Sequence, residues 1–224
     1  MPTFAQIKSN IQDNLQDYSI HWSNADLTNA VQDAYDETIC MSQCLIKKTT
    51  LSFQDNLNYY DFLNLTDFPN IYIADFMATT AIFNNNTNLW LLDNKVLKDF
   101  DHDRLDWENW TGEAIWWVPC NDSKKNALIP KQPIASGTFD IYYWAQAPAV
   151  VDSETPLVPV DFHSLIELHA TGALLELARE FTKARAYFEE FWGIDDGEQN
   201  LDEGIYLLAS RSKNIAKSDL LMLG

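Results

Sequence analysis

The hydrophobic residues of this chain change their spacing twice, and this change constrains the fold more than any other feature of the sequence. Near the N-terminus apolar residues recur every three or four positions, as on one face of a helix, at Phe4, Ile7, Ile11 and Leu15. In the middle of the chain they alternate with polar residues, which is typical of half-buried strands. Helical spacing then returns. The sequence therefore predicts an α+β fold in which N- and C-terminal helices form a bundle and the middle forms a mainly antiparallel β-sheet or small barrel.

These changes divide the 224 residues into successive parts. Residues 1–44 and 160–218 are predicted to be helical, residues 45–150 to be rich in strands, and residues 219–224 to form a C-terminal tail. A chain of this length makes one large domain or two small ones, at roughly 150 residues per domain. We expect one compact domain over residues 1–224.

Shorter signals place individual elements. Ser23, followed by Asp26, predicts a capped start of the second helix, and Gly193 predicts the left-handed end of a helix over residues 182–192. Residues 49–53 and 60–62 alternate on either side of a polar turn, which predicts a hairpin. The remaining predicted elements are strands at 71–73, 81–83, 115–118, 127–129 and 139–144, and helices at 93–100, 162–175 and 198–213.

The charge of the chain limits its partners. Acidic residues outnumber basic residues 33 to 15, for a net charge of −18. Proteins that coat nucleic acid or anionic lipid need a basic face, so both classes are disfavoured. No apolar stretch approaches the roughly 20 residues of a membrane-spanning helix, and the N-terminus does not resemble a signal peptide. Three cysteines suit a reducing compartment, so synthesis in the cytoplasm is expected.

The search for a calcium or zinc site finds only incomplete motifs. The alternating acids Asp99, Asp101 and Asp103 fail the EF-hand pattern, because Arg104 and Trp110 stand where that pattern requires Gly and Glu. Cys40 and Cys44 lie one helical turn apart, but no further Cys or His stands at the spacing of a zinc site. Buried core thiols are therefore favoured over a metal site.

Catalytic motifs give no better support. The sequence contains no nucleophile elbow, phosphate-binding loop or dinucleotide fingerprint. An acid pair for sugar hydrolysis stays open, because such a site is defined by the separation of two carboxylates in space. We therefore predict no catalytic residues, no bound metal and no cofactor, in a protein that works through its surfaces.

A series of landmarks between about residues 20 and 192 carries a resemblance to one known family. Trp22 and Leu27 open the second predicted helix, and the segment Tyr-Asp-Phe-Leu-Asn-Leu-Thr-Asp-Phe ends in Asp67 and Phe68. The later landmarks are Gly112 with Trp116, Pro130 with Pro133, Gly137 with Tyr143, and Pro156 and Pro159 before His163. In this order they resemble the landmarks of bacteriophage head–tail adaptor (connector) proteins, nearest to the podovirus tail-tubular type. Asn64 and Ala114 stand where that family has proline.

The resemblance implies a structural virion protein rather than an enzyme. Proteins of this family form rings, commonly of twelve copies, that join the capsid portal to the tail and let genome DNA pass through the lumen. The implied partners are further copies of the chain, the portal protein, a tail or nozzle protein, and genome DNA that passes through the lumen without sequence-specific binding, with no membrane. The implied location is the neck of the virion, after assembly in the bacterial cytoplasm.

Two segments are expected to form interfaces in such a ring. The apolar end, Leu220, Leu221, Met222 and Leu223, is expected to dock on a partner subunit toward the portal, with a frayed terminus as the alternative. The polar tip that contains Asn84, Asn85 and Asn86 is expected to face a neighbouring copy or a tail protein. Lys and Arg are absent from residues 49–94 and 132–178, which suits an acidic lumen that repels phosphates as well as a generally acidic soluble surface.

Two other functional classes stay open. Exposed Trp and Tyr side chains would suit a carbohydrate- or receptor-binding virion module, or another tail structural protein. An acid pair would suit a glycosidase that opens the cell wall, which is the least favoured of these functions.

Overall fold

The chain forms two compact units in the computed structural model. The structure describes residues 1–16, 22–52, 59–61, 73–93, 109–110, 112–119, 126–128, 137–195, 198–199, 204–205 and 207–209. The helical unit is built from residues 1–45 and 147–224, and the sheet unit from residues 46–146. The predicted α+β class is confirmed, while the prediction that residues 1–224 act as one domain stays a prediction.

Two helices open the helical unit. Helix α1 spans Phe4–Gln16, and its predicted stripe of apolar residues is at most 2% exposed. Helix α2 spans Asn24–Ser42 and begins with the predicted capping box, in which Ser23 accepts from the backbone of Asp26 while the Asp26 side chain accepts from the backbone of Ser23. The start of α2 could be predicted because capping is a local hydrogen-bond pattern.

Two further helices follow the sheet unit. A 3₁₀ turn at Val160–Phe162 leads into α3, His163–Leu177, and α4 spans Phe181–Trp192. As predicted, α4 ends at Gly193 in the left-handed conformation, with φ of 69°. Helix α3 packs against α1, α2 and α4, so the terminal helices form the predicted bundle.

The sheet unit contains two four-stranded sheets. The antiparallel sheet joins β1 (Ile46–Ser52), β8 (Thr138–Ala145), β3 (Phe76–Asn84) and β4 (Leu89–Trp90), in that spatial order. The second sheet has the order β2 (Tyr59–Asp61), β7 (Asn126–Leu128), β6 (Trp116–Pro119) and β5 (Leu92–Asp93). The pairing of β5 with β6 is parallel and the others are antiparallel, as the prediction of a mainly antiparallel sheet requires.

Three predicted elements are wrong. The predicted hairpin does not form, because β1 pairs over its whole length with β8 and β2 pairs with β7. The predicted strand at 71–73 is wrong at Ile73, which precedes a turn before β3 begins at Phe76, whereas residues 71 and 72 lie outside the described residues. The helix predicted over 198–213 starts too early, because β9 (Ile194–Asp195) pairs with β10 (Glu198–Gln199). Among the described residues of this segment, those at 204–205 and 207–209 are helical. The missed signal was the Asp-Gly dipeptide at 196–197, which favours a tight hairpin.

Candidate interaction surfaces

A segment that we call the strap, residues 147–159, connects the sheet unit to α3 and shapes the surface of the helical unit. Gln32 of α2 holds the strap by its backbone, because its Oε1 accepts from the Val150 N–H at 2.7 Å and its Nε2 donates to the Pro148 oxygen at 3.3 Å. The N–H groups of Phe4 and Ala5 donate to the Glu154 and Asp152 oxygens, at 2.9 and 3.1 Å. The strap thereby satisfies two of the donors that every helix start leaves unpaired.

A buried lysine adds a charged contact to the strap. Lys8 is 4% exposed and pairs with the carboxylate of Asp152. Its Nζ also donates to Asn24 Oδ1 at 2.9 Å and Thr28 Oγ1 at 3.0 Å. The three partners compensate the ammonium group for the water that it loses on burial.

The landmarks around Pro156 and His163 form the junction between the strap and α3. The Leu157 N–H donates to the hydroxyl of the fully buried Tyr35 at 2.9 Å. His163 is 3% exposed and its Nε2 lies 3.2 Å from the Val158 oxygen, to which it donates. Burial lowers the pKa of His163 and outweighs the effect of this hydrogen bond. These landmarks therefore fix the direction in which α3 begins.

The strap and the following turn leave apolar and acidic side chains on the surface at the N-terminal end of α3. We call this surface the acidic end: it comprises Glu154, Leu157, Val160 and Asp161. Leu157 is 57% exposed and Val160 52%. Within the described residues, the carboxylates of Glu154 and Asp161 make no ion pair. Exposed aliphatic side chains beside unpaired charges are typical of interaction surfaces.

The opposite end of α3 carries a second exposed apolar surface, which we call the basic end: Leu177, Arg179 and Phe181. Leu177 is 71% exposed and Phe181 61%. The helix ends in a Schellman motif, in which the N–H groups of Arg179 and Glu180 donate to the Glu176 and Leu175 oxygens, each at 2.9 Å. Arg179 occupies the left-handed position of this motif, with φ of 63°, where glycine is usual.

A groove runs from the basic end along α4. It has a volume of about 480 Å³, an apolar floor and a charged rim, and its lining residues are Glu176, Phe181, Ala184, Arg185, Phe188, Glu189 and Trp192. On the rim, Arg185 Nε donates to Glu189 Oε1 at 2.6 Å. Nearby, Lys183 pairs with Glu180 at 3.1 Å. Arg179 has no ion-pair partner among the residues that the structure describes, so it is the unpaired cation of this surface.

Helix α3 places a histidine against the ring of Phe188, which lines the groove. The ring of His169 lies 5.4 Å from that of Phe188 and 4.8 Å from that of Phe191, centroid to centroid. Its Nδ1 is buried and has no hydrogen-bond partner among the residues that the structure describes. Burial lowers the pKa of His169, and the carboxylates of Glu37 and Asp33 on α2 only partly oppose this effect. The packing therefore favours the neutral form of this histidine.

In the sheet unit, one face of the antiparallel sheet carries half-exposed aromatic rings. The Trp90 ring lies 5.1 Å from that of Phe83 and 5.2 Å from that of Tyr142, although β3 separates β4 from β8. Ala81 lies beside Tyr142 in the register, and its short side chain leaves room for Trp90 to reach across. The rings thus pack against one another in edge-to-face and tilted arrangements.

The lysines of β1 pair with carboxylates in the same sheet. Lys48 Nζ lies 2.9 Å from Asp140 Oδ2, and Thr50 Oγ1 donates to Asp140 Oδ1 at 2.5 Å. Burial would raise the pKa of Asp140, but hydrogen bonds from Thr50, Lys48 and Asn85 outweigh it and lower the pKa. Lys47 similarly pairs with Asp75, to which the Tyr143 hydroxyl donates at 3.1 Å.

The predicted asparagine-rich tip is present as the turn between β3 and β4. Asn84 is 2% exposed, and its Oδ1 accepts from the Asn86 N–H at 3.0 Å. Asn85 donates through its backbone and its side chain to Thr138, at 3.0 and 2.9 Å. Asn86 is exposed at the tip. Its packing needs Gly137, because a Cβ there would lie 2.1 Å from Asn86 Nδ2.

An apolar edge lies beside this tip. Leu89 is 63% exposed, Leu92 57% and Ile115 40%. Leu92 and Ile115 are held together by a 2.8 Å hydrogen bond from the Leu92 N–H to the Ile115 oxygen. The sheet unit therefore has an exposed apolar surface of its own.

A family model described as the SU10 adaptor protein matches residues 2–211 of the chain. The chain belongs to the SU10 adaptor protein family. The resemblance to phage head–tail adaptors is thereby confirmed, and this adaptor is a structural component of the virion. A search of curated proteins found no match.

The family landmarks that the structure describes lie at structural positions of the adaptor. Leu27 is buried, and Trp22 stands just before the capping box, with its Nε1 buried and without a partner in the described part of the chain. Gly112 adopts a φ of 127°, which favours glycine, and the Trp116 ring lies 6.3 Å from that of Trp110. Pro156 is buried and Pro159 precedes the 3₁₀ turn. Predictions on Asp67, Phe68, Pro130 and Pro133, and on Leu220, Leu221, Met222 and Leu223, lie outside the described residues.

Metal ligands do not cluster in the part of the adaptor that the structure describes, where no group of three or more His, Cys, Asp or Glu side chains converges. The expectation of two buried core thiols is wrong for Cys40, which is exposed on the last turns of α2. Cys44 is half-buried, its Sγ accepts from Ser42 Oγ at 3.1 Å, and burial raises its pKa. None of the described helices is both long and apolar enough to cross a membrane.

Sequence reasoning missed both ends of α3 as candidate surfaces. Amphipathic spacing does not distinguish the exposed apolar residues at these ends from buried ones. The exposed residues are Leu157, Val160, Leu177 and Phe181. The arginine at 179 is not a distinguishing signal in the sequence, because a cation directly after a helix is also favoured by the helix dipole and the last carbonyl groups.

Proposed function

We propose that this adaptor forms a homo-oligomeric ring, of about twelve copies as the family resemblance implies, that joins the capsid portal to the tail. The observation that carries the proposal is the family match over residues 2–211, nearly the whole chain. A ring requires two different surfaces on each subunit, since only head-to-tail contacts generate a closed cycle of this size. The exposed apolar surfaces of the helical and sheet units supply candidates for these contacts.

Genome DNA would pass through the lumen of this ring without specific binding. In the described part of the sheet unit the only basic residues are Lys47 and Lys48, and each is paired with a carboxylate. Unpaired cations would release counterions from phosphates and retain the DNA. A net charge of −18 therefore supports a lumen that repels DNA.

The remaining assignments follow from this role. The adaptor would act without catalysis or a cofactor, as one domain at the neck of the virion, after assembly in the bacterial cytoplasm. Its partners would be the portal protein and a tail or nozzle protein. Leu220 to Leu223 would dock toward the portal, and the tip at Asn84 to Asn86 would meet a neighbouring copy or the tail.

Electron-microscope class averages test the proposal directly. The purified adaptor is imaged alone, with rings of its portal protein, and with an unrelated portal ring as the matched control. We expect a ring of additional density at one end of the cognate portal only. An adaptor that stays unassembled in the presence of the cognate portal would overturn the proposal.

A carbohydrate-binding module is the second candidate, because the half-exposed rings of Trp90 and Tyr142 lie on an open sheet face. Their mutual packing accounts for them without a ligand. Titration with host surface glycans, read by tryptophan fluorescence, separates the two functions. A saturable shift that Trp90→Ala abolishes would favour the module, whereas an adaptor should give no shift.

A further inference from the structure

Helix α3 separates two exposed surfaces of unlike chemistry. It has 15 residues and therefore spans about 22 Å. The acidic end lies at its N-terminus and the basic end at its C-terminus. Because α3 is the helix against which α1, α2 and α4 pack, both surfaces are carried by one well-supported element.

The acidic end combines exposed apolar side chains with negative charge. Leu157 and Val160 project two aliphatic side chains that are more than half exposed. Leu157 is nevertheless fixed in place, because its N–H is bonded to the buried Tyr35 hydroxyl. Asp161 follows Val160 directly and its carboxylate is unpaired among the described residues. The surface thus presents a rigid apolar pair beside a free negative charge.

The basic end offers a groove with aromatic lining residues and, close to it in the sequence, an exposed arginine. The groove along α4 offers an apolar floor that includes Phe181, Phe188 and Trp192. Arg179 lies two residues before Phe181 of the groove lining and has no ion pair among the described residues, whereas Lys183 and Arg185 are already paired within α4 or with its cap. The carboxylate of the exposed Glu176 on the rim would repel an acidic partner. An ion pair between an aspartate of the partner and Arg179 must therefore outweigh this repulsion.

We propose that neighbouring copies join head-to-tail through the two ends of α3, so that Leu157 and Val160 of one copy enter the α4 groove of the next and Asp161 pairs with Arg179. This inference rests on the proposed ring and names the contact that closes it. We assign a second copy of the chain to the groove because the same chain carries both the acidic end and the groove. The two halves are different surfaces, as a heterologous ring interface requires.

The composition of the two ends fits a protein interface. Aromatic residues and arginine are enriched in the energetically important centres of interfaces, and Phe181 and Arg179 provide both types. Apolar contacts would supply the affinity, while the single charge pair would select the orientation. The ion pairs that lie within each copy can stay intact in the assembly.

Charge reversal tests the contact with the full-length chain. Assembly is measured by mass photometry and electron microscopy, with and without the portal ring. Asp161→Arg and Arg179→Asp should each weaken assembly at least about tenfold, because each places like charges together. The double variant should recover to within about threefold of the wild-type chain, since it restores the pair in reverse. Asp13→Arg, the same change at an exposed position on α1, is the matched control and should assemble normally.

A second variant tests the apolar half of the contact. Phe181→Ser changes a residue that is 61% exposed, so the fold should be retained and the circular dichroism unchanged, while assembly is lost. Normal assembly of both single charge variants, or of Phe181→Ser, would overturn this inference and leave the proposed ring intact. Failure of the wild-type chain to assemble on the portal would instead overturn the proposed function and this inference together.

Discussion

The ammonium group of Lys8 in α1 pairs with the carboxylate of Asp152 in the strap, although Lys8 is only 4% exposed. The pair joins residues that are far apart in the sequence and have opposite surroundings, because the Asp152 side chain is 56% exposed. The strap is therefore fixed to the helical bundle by an ion pair with one buried and one solvated partner.

Replacement of Asp152 by Asn should destabilise the adaptor by about 1–3 kcal/mol, because the buried ammonium group then lacks its negative partner. Urea unfolding followed by circular dichroism measures the change. Asp13→Asn, at an exposed position, is the control and should shift the free energy of unfolding by less than about 0.5 kcal/mol. Equal behaviour of the two variants would show that the pair contributes little.

Replacement of Arg179 by Gly should leave the fold as stable or stabilise it by up to about 1 kcal/mol, because glycine adopts a positive φ without steric cost. The same variant should lose ring assembly, because the unpaired guanidinium is gone. Arg179→Ala should lose assembly without the gain in stability. Thermal unfolding and mass photometry on the same samples distinguish the two effects, and retained assembly of Arg179→Gly would count against a role for the guanidinium.

Acidification below about pH 6.5 should destabilise the helical unit, because the pKa values of His163 and His169 are lowered by burial in the folded chain. A histidine with a depressed pKa contributes stability above its unfolded pKa and loses it as the pH falls through the folded value. Glu37 and Asp33 face His169 and moderate the effect. Urea unfolding at several pH values between about 7 and 5 gives the free energy of unfolding as a function of pH. As the pH falls, this free energy should decrease less steeply for the His163→Gln/His169→Gln variant than for the wild-type chain. Parallel slopes would refute the assignment.

Alkaline conditions should destabilise the sheet unit through Tyr143. Burial and the hydrogen bond to Asp75 raise the pKa of Tyr143 to about 12. A raised pKa means that this stability is present below about pH 10 and is lost as the pH approaches 12. Tyr143→Phe should therefore be less stable at neutral pH by about 1 kcal/mol and less sensitive above pH 10. Ultraviolet titration of tyrosinate absorbance measures the same ionisation directly, and an ordinary midpoint near pH 10 would contradict it.

Local patterns in the sequence predicted most of the helical unit. The stripe of α1, the capping box at Ser23 and the left-handed end at Gly193 each depend on residues within a few positions of one another. Such patterns report backbone hydrogen bonds and the buried face of a helix, which are decided within one or two turns. The same reasoning placed β8 and the tip at Asn84 to within a residue or two.

Partners that are distant in the sequence could not be predicted in this way. The alternation of β1 fits any strand with an apolar face, so the choice of β8 over β2 depends on packing across some 90 residues. Near-neighbour spacing also cannot distinguish the exposed Phe181 from the buried Phe191, because both lie on the same short helix. The sequence by itself determined the helix positions and the class of the fold through local hydrogen bonding and periodicity. Only the tertiary structure decided the strand partners, the burial of Lys8 and the exposed ends of α3, because burial is a property of distant segments that meet in space.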